Sequence, residues 1–161
     1  MIRPTSKEDV ATIIAIAEKS WVAAYRDILS AEQYDYMIRK FYSPEALQQT
    51  MEEQAFLLCY SGGEATGFAA YQLNYPAGGY CKIHKLYVLP DVHGTGTGRK
   101  LVHEIAKIAG ENQCTRLTLN VNKYNKALGF YEKMGFRVER PEVIDIGRGY
   151  VMDDFVMELP L

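Results

Sequence analysis

From Val10 onward, apolar residues recur at helical spacing. Val10, Ile13, Ile14, Ala17, Trp21 and Tyr25 fall on one face. Ser6-Lys-Glu-Asp9 introduces this run with the spacing of a capping box, Asp standing where Glu or Gln is usual. Ser30-Ala-Glu-Gln33 opens a second helix with a full capping box and carries Tyr34, Met37, Ile38 and Phe41. Ser43-Pro44-Glu-Ala46 begins a third, short helix, with proline at the first helical position. Ahead of them, residues 2–4 read as a short strand.

After the third helix the period changes. Ala55–Tyr60, Gly67–Leu73 and Tyr80–Val88 read as strands separated by Gly62-Gly63 and by Pro76 with Gly78-Gly79. Connections this short imply an antiparallel meander. A glycine-bearing loop follows, and then a long helix with Leu101, Val102, Ile105, Ile108 and Ala109 on one face. Thr115–Val121 is the next strand. A helix near Asn125–Met134 ends at Gly135, a C-cap position, and strands near Arg137–Ile144 and Tyr150–Leu159 flank Gly147-Arg-Gly149. The order βαα(α)βββαβαββ predicts one α/β (α+β) domain over residues 1–161. Its mixed, mostly antiparallel sheet has about seven strands, with helices on both faces.

Composition narrows the setting. A chain of 161 residues that is 48% hydrophobic and 24% charged can bury its own core. Its net charge of −2 lacks the basic excess of nucleic-acid binders. Cys59, Cys81 and Cys114 form no Cys-x-x-Cys pair, which fits reduced thiols and a cytoplasmic location. The longest mostly apolar stretch, Val10–Ala17, is far below the roughly 20 residues that span a bilayer, so no membrane partner is expected. His84, His93 and His103 are scattered over a strand, a loop and a helix without ligand spacing, so no metal is expected. There is also no Gly-x-Ser-x-Gly elbow.

The densest chemistry lies in residues 83–101. An extended apolar run stops at Pro90, glycines stand at 94, 96 and 98, and a helix begins. Such a junction is an anion site, because backbone N–H groups converge where the helix dipole is positive. A phosphorylated ligand is therefore expected. A dinucleotide loop would need Gly-x-Gly-x-x-Gly, and a Walker loop would need glycine before Lys-Ser/Thr; neither is present.

Leu86-Tyr87-Val88-Leu89-Pro90 and His93-Gly94-Thr95-Gly96-Thr97-Gly98 together resemble the strand and loop signature of the GNAT superfamily of N-acetyltransferases, with His93 where Gln or Arg is usual. A second segment, from Asn122-Lys-Tyr-Asn125 through Phe130-Tyr131-Glu-Lys-Met-Gly135-Phe136, is similar to that family's Asn-x-x-Ala-Ile-x-Phe-Tyr-Glu-Lys-x-Gly-Phe. The asparagine normally precedes the tyrosine by seven residues; here Asn125 lies six before it and Asn122 nine. Either could touch the cofactor, with Asn125 preferred, and Asn125 equally suits a helix N-cap. The element order is also that of the superfamily. Ile-His-Lys-Leu-Tyr-Val, Phe-Tyr-Glu-Lys-Met-Gly-Phe and the closing Met-Asp-Asp-Phe-Val-Met further resemble the bacterial spermidine/spermine acetyltransferase-like subgroup.

The resemblance implies acetyl-CoA as co-substrate. It places the pantetheine arm on the main chain of Leu86, Tyr87 and Val88, and the pyrophosphate on His93, Gly94, Thr95, Gly96, Thr97, Gly98 and Arg99. The Val88 N–H becomes a candidate for polarising the thioester carbonyl. A lysine-like amine, of pKa about 10.4, is neutral in roughly one molecule in 2,500 at pH 7, a penalty near 4–5 kcal/mol, so a base is useful. His84 shares a strand face with Leu86 and Val88, and a histidine at this position serves the arylalkylamine acetyltransferases; it is the candidate base or water-holder, a histidine bonded only within the sheet being the alternative. Tyr131 matches the family's general-acid tyrosine, hydrogen-bonding the departing thiolate. Trp21, Tyr25, Asp153 and Asp154 are candidate acceptor contacts, since aromatic faces and carboxylates suit a cationic amine, although aromatics at helical spacing equally fill a core. The expected activity is acetyl transfer to a primary amine by direct attack in a ternary complex, the amine being a polyamine, another small molecule or a peptide. A catalytically silent CoA-binding sensor and a protein N-terminal or lysine acetyltransferase stay open, as does a homodimer.

Overall fold

The computed structural model describes residues 1–161. Its strands are β1 (Ile2–Pro4), β2 (Ala55–Ser61), β3 (Glu64–Leu73), β4 (Tyr80–Val88), β5 (Arg116–Asn122), β6 (Arg137–Gly147) and β7 (Tyr150–Pro160). The helices are α1 (Val10–Tyr25), α2 (Ala31–Tyr42), α3 (Pro44–Glu53), α4 (Thr97–Glu111) and α5 (Ala127–Lys133), and single 3-10 turns cover Lys7–Asp9 and Pro90–Val92. The strands lie in the order β1-β2-β3-β4-β5-β7-β6. The β4–β5 pair is parallel, and β1–β2, β2–β3, β5–β7 and β6–β7 are antiparallel. This is the seven-stranded mixed sheet that the alternating pattern predicts.

The helix starts form where the caps stand. Ser30 Oγ accepts from Gln33 N at 3.1 Å and Ser43 Oγ from Ala46 N at 3.2 Å, each satisfying an amide that a helix start leaves open. At the first turn, Asp9 substitutes for Glu in the capping box: Ser6 N donates to Asp9 Oδ2 at 2.8 Å. Arg3 grips the same carboxylate through two hydrogen bonds of 3.0 and 2.8 Å and also donates to the Tyr60 hydroxyl. Arg3 holds the Asp9 carboxyl down at about 2, well below the usual carboxylate range.

Two compact units are distinguished along the chain. The first comprises Met1–Gln72 and His84–Ile105, the second Leu73–Ile83 and Ala106–Leu161. In the first, Ile13, Ile16 and Ala17 of α1 are buried, as are Met37, Leu47, Phe56, Leu58 and Phe68. Each such fully buried aliphatic or aromatic side chain contributes about 1.5–3 kcal/mol. Trp21, Tyr42, Phe68 and Tyr87 meet ring to ring at 5.5–6.5 Å, tying α1 and α2 to β3 and β4. In the second unit the apolar face of β5 and β7, with Leu117, Leu119, Val121 and Met157, is buried, as are Phe136 and Ile146. No helix is long and apolar enough to cross a membrane.

Candidate active site

Strand β4 carries the first half of the site. Its parallel pairing with β5 runs from Tyr80↔Arg116 to Ile83↔Leu119 and stops there, so His84–Val88 continue beyond the paired register. Consecutive residues in a strand turn their N–H and C=O to opposite edges. Leu89 N donates to Thr66 O at 2.9 Å, and the Tyr87 carbonyl lies toward Gly67, so residues 87 and 89 face β3. By alternation Leu86 and Val88 present their N–H groups to the other edge, the one β5 leaves unpaired after Ile83. That edge can accept an extended ligand as an additional strand. The Val88 carbonyl is held by Ser20 Oγ of α1 at 3.2 Å and by His93 Nε2 at 3.1 Å. Tyr87, by contrast, gives its main chain to β3 and its ring to the aromatic core.

The loop after Pro90 has the backbone shape that an anion site requires. Gly94 and Gly96 both adopt φ of +86°, a conformation that glycine takes without strain, and a Cβ at either would meet no atom within 4 Å. The requirement is therefore backbone shape, not lack of room. Lys100 N donates to Gly96 O at 2.9 Å, so the amides of Thr97, Gly98 and Arg99 precede the helical ladder and remain available as donors. Thr95 Oγ1 donates to Val92 O at 2.6 Å and shares a 3.1 Å hydrogen bond with Thr97 Oγ1, fixing the loop from within. A diphosphate fits this arrangement: oriented amides at a helix start, on an exposed loop, directly after a strand edge able to pair.

His84 and Gln72 face each other, with Nε2 to Oε1 at 2.9 Å. In the tautomer whose Nε2–H donates to Gln72 Oε1, Nδ1 carries the basic lone pair of the neutral ring. Trp21 and Tyr25, 4% and 6% exposed, lie in the first unit's core with their rings 4.7 Å apart. Among the two readings of these aromatics, the structure places them in the core. Lys85 is a feature the sequence does not announce. Burial pushes its amine down to about 8, and it lies over the rings of Tyr42 and Phe41 at 5.2 and 5.8 Å.

The remaining candidates stand in the second unit. Tyr131 is 7% exposed on α5, edge-on to Phe130 and Phe136. Asn125 Oδ1 accepts from Ala127 N at 2.9 Å in a turn just ahead of the α5 N-cap Lys126, leaving its Nδ2 as the group that could face a ligand. Asn122, 4% exposed, accepts from Tyr124 N at 2.9 Å. The shortened connection thus uses both asparagines to make the turn into α5. Asp153 pairs with Lys123 at 3.0 Å, whereas Asp154 is 5% exposed beside Asn120 and Glu142. Gln72, Ser20, Asn120 and Glu142 stand in no motif. Only the strand register brings Asn120 and Glu142 to Asp154, and no spacing in the sequence marks them.

These features suit an acyltransferase that works with coenzyme A, and the comparisons show that class. Residues 13–136 match the acetyltransferase (GNAT) family. The chain belongs to that family and is an acetyl-CoA-dependent acyltransferase. It is 33% identical to the peptidyl-lysine N-acetyltransferase YjaB of Escherichia coli over 92% of this chain and 90% of that one. It is 29% identical to the spermidine N(1)-acetyltransferase of Thermoplasma acidophilum, over 98% and 94%. Among solved structures, the PaiA N-acetyltransferase of Thermoplasma acidophilum in complex with coenzyme A superposes with a TM-score of 0.82 at 28% identity, over all of this chain and 98% of that one.

Proposed function

We propose that residues 1–161 act as one N-acetyltransferase domain that moves the acetyl group of acetyl-CoA to the primary amine of a cationic acceptor, by direct attack in a ternary complex. The observation that carries this reading is the continuation of β4 past its register with β5, which presents the Leu86 and Val88 amides directly before the loop of Gly94 and Gly96. In this reading the amides of Gly94, Gly96, Thr97, Gly98 and Arg99 bind the diphosphate, while Thr95, whose N–H donates to Val92 O at 3.2 Å, shapes the loop instead. Leu86 and Val88, rather than Tyr87, pair with the pantetheine arm, and the Val88 N–H polarises the thioester carbonyl. The thioester itself supplies the activated acetyl group. His84, oriented by Gln72, accepts a proton from the acceptor ammonium at Nδ1, directly or through a water. Tyr131 hydrogen-bonds the departing thiolate, and the Asn125 amide contacts the coenzyme.

Relatives are named for two acceptors, a protein lysine and spermidine, and both present a primary amine that is charged at neutral pH. The test is thiol release from acetyl-CoA with spermidine, spermine and a lysine peptide, alongside thermal stabilisation by coenzyme A. Turnover with at least one amine is expected. Stabilisation by coenzyme A without turnover on any amine would establish a binding domain instead.

A further inference from the structure

The last residue of β4 carries a contact that the transfer chemistry above does not use. The peptide joining Val88 to Leu89 turns its N–H to β3, where Leu89 N donates to Thr66 O at 2.9 Å. In a trans peptide the carbonyl points the opposite way, so the Val88 C=O faces the edge that β5 leaves unpaired. The Tyr87 carbonyl lies toward Gly67, which by the same rule turns the Val88 N–H to that edge as well. Val88 therefore sets a donor and an acceptor side by side on the open edge.

The acceptor is already taken. His93 Nε2 lies 3.1 Å from the Val88 oxygen, and a carbonyl only accepts, so the imidazole N–H is the donor. Ser20 Oγ stands 3.2 Å from the same oxygen but 2.7 Å from Ile16 O, and a hydroxyl has one hydrogen for the two acceptors. The shorter contact claims that hydrogen, which leaves His93 as the full donor to Val88. His93 N donates to Pro90 O at 3.2 Å, so the turn that ends the strand also anchors the ring. Ser20, Val88 and His93 all belong to the first compact unit, and His93 is exposed on its loop.

When an amine nitrogen bonds the thioester carbon, the carbonyl pair moves onto oxygen. It returns as the C–S bond breaks and that bond's pair leaves on sulfur. The transient oxyanion is stabilised by an N–H aimed at it and opposed by a carbonyl whose negative end lies alongside. A bare strand edge presents both. We propose that His93 is a positioning residue for acetyl transfer: its imidazole N–H occupies the Val88 carbonyl, so that Val88 turns only its own N–H to the thioester oxygen. The proposal rests on the reading in which that N–H polarises the thioester, and deepens it. It moves the work of the His93 side chain from the diphosphate to the reacting end of the coenzyme. Glutamine, with an amide N–H, meets the same need, and alanine does not.

The experiment compares the wild type, His93→Ala and His93→Gln as full chains in two measurements. In thiol-release assays with the amine turned over best, His93→Ala should lower kcat about tenfold while the KM for acetyl-CoA changes by less than about twofold. His93→Gln should recover kcat to within about threefold of the wild type. The second measurement is the isotope-edited infrared stretch of acetyl-CoA labelled with carbon-13 at the thioester carbonyl. Binding to the wild type and to His93→Gln should lower its frequency, and binding to His93→Ala should lower it less. Calorimetric titration with coenzyme A verifies that each variant is folded and competent to bind. A raised KM and weaker coenzyme A binding, with kcat and the stretch unchanged, would put His93 at the diphosphate and overturn the proposal. An unshifted stretch in the wild type overturns it too, as does a loss of kcat that His93→Gln does not recover. Turnover alongside any of these results leaves the transferase reading standing. A stretch that shifts in the wild type but not in His93→Ala, with no amine turned over, keeps the role of His93 and removes the transferase reading.

Discussion

Replacing Gly67 with alanine probes the junction on which the proposed coenzyme site is built. A Cβ at this position would lie 3.0 Å from the Tyr87 carbonyl oxygen, 3.1 Å from Thr97 Cγ2 and 3.3 Å from Val88 Cγ2. The first neighbour is backbone, and the other two are methyls of β-branched side chains that have few rotamers in which to retreat. Relief therefore requires β4 and the start of α4 to shift by a few tenths of an ångström. Overpacking of this kind costs about 1–3 kcal/mol, against which alanine regains about 0.5–1 kcal/mol of backbone entropy. A net loss of up to about 2.5 kcal/mol follows, or up to roughly 10 °C in Tm for a domain of this size. Because the displaced residues are Tyr87, Val88 and Thr97, the KM for acetyl-CoA should rise in the same variant. Gly110→Ala is the control: it lies exposed in α4 with nothing within 4 Å of the added Cβ and should gain about 0.5–1 kcal/mol. Denaturant titration reads both. A Gly67→Ala protein as stable as Gly110→Ala would refute the packing argument.

Tyr131→Phe should lower kcat with coenzyme A binding retained in a thermal-shift assay; unchanged turnover would remove the hydroxyl from the reaction. Gly94→Ala and Gly96→Ala should each raise the KM for acetyl-CoA severalfold, because alanine costs about 1 kcal/mol in the left-handed region, with kcat less affected. Asp9 has its pKa lowered in the folded chain by Arg3, so its stabilisation is complete above pH about 4 and is lost as pH falls toward 2. Asp9→Asn should accordingly be less stable than the wild type at pH 7, with the gap closing in acid denaturant series. Lys85 has its pKa lowered to about 8 by burial, so the charged form disfavours folding below pH 8 and stability rises between pH 8 and about 10.5. Lys85→Met should therefore be more stable at pH 7 by roughly 1–2 kcal/mol, the cation–π contacts offsetting part of the gain, and the advantage should vanish above pH 10.5.

Most elements were legible because each carries a local signal. Ser30 and Ser43 mark their helices by side chains that bond within three residues, and Tyr80–Val88 is bounded by a glycine pair and a proline. The shape of the glycine loop was legible for the same reason: Gly94 and Gly96 are required by backbone conformation, which a spacing can encode. Trp21 and Tyr25 show the limit, since an aromatic at helical spacing looks the same whether it faces a ligand or a core, and only burial separates the two. The neighbours of His84 and Asp154 were illegible in a stronger sense. Gln72 is twelve residues from His84, and Asn120 and Glu142 lie thirty-four and twelve residues from Asp154, joined by strand register alone. Asn125 shows a third case, where one side chain holds the turn into α5 with its oxygen and keeps its amide for other use.

Amide chemical-shift mapping during titration with acetyl-CoA tests the core of the account. Gly94, Gly96, Thr97, Gly98 and Arg99 should move furthest, together with Leu86 and Val88, while Tyr87 and Leu89, committed to β3, move little. Shifts that leave the loop still would mean that the helix start does not hold the coenzyme, and shifts falling equally on all residues from 86 to 89 would mean that the unpaired edge of β4 does not.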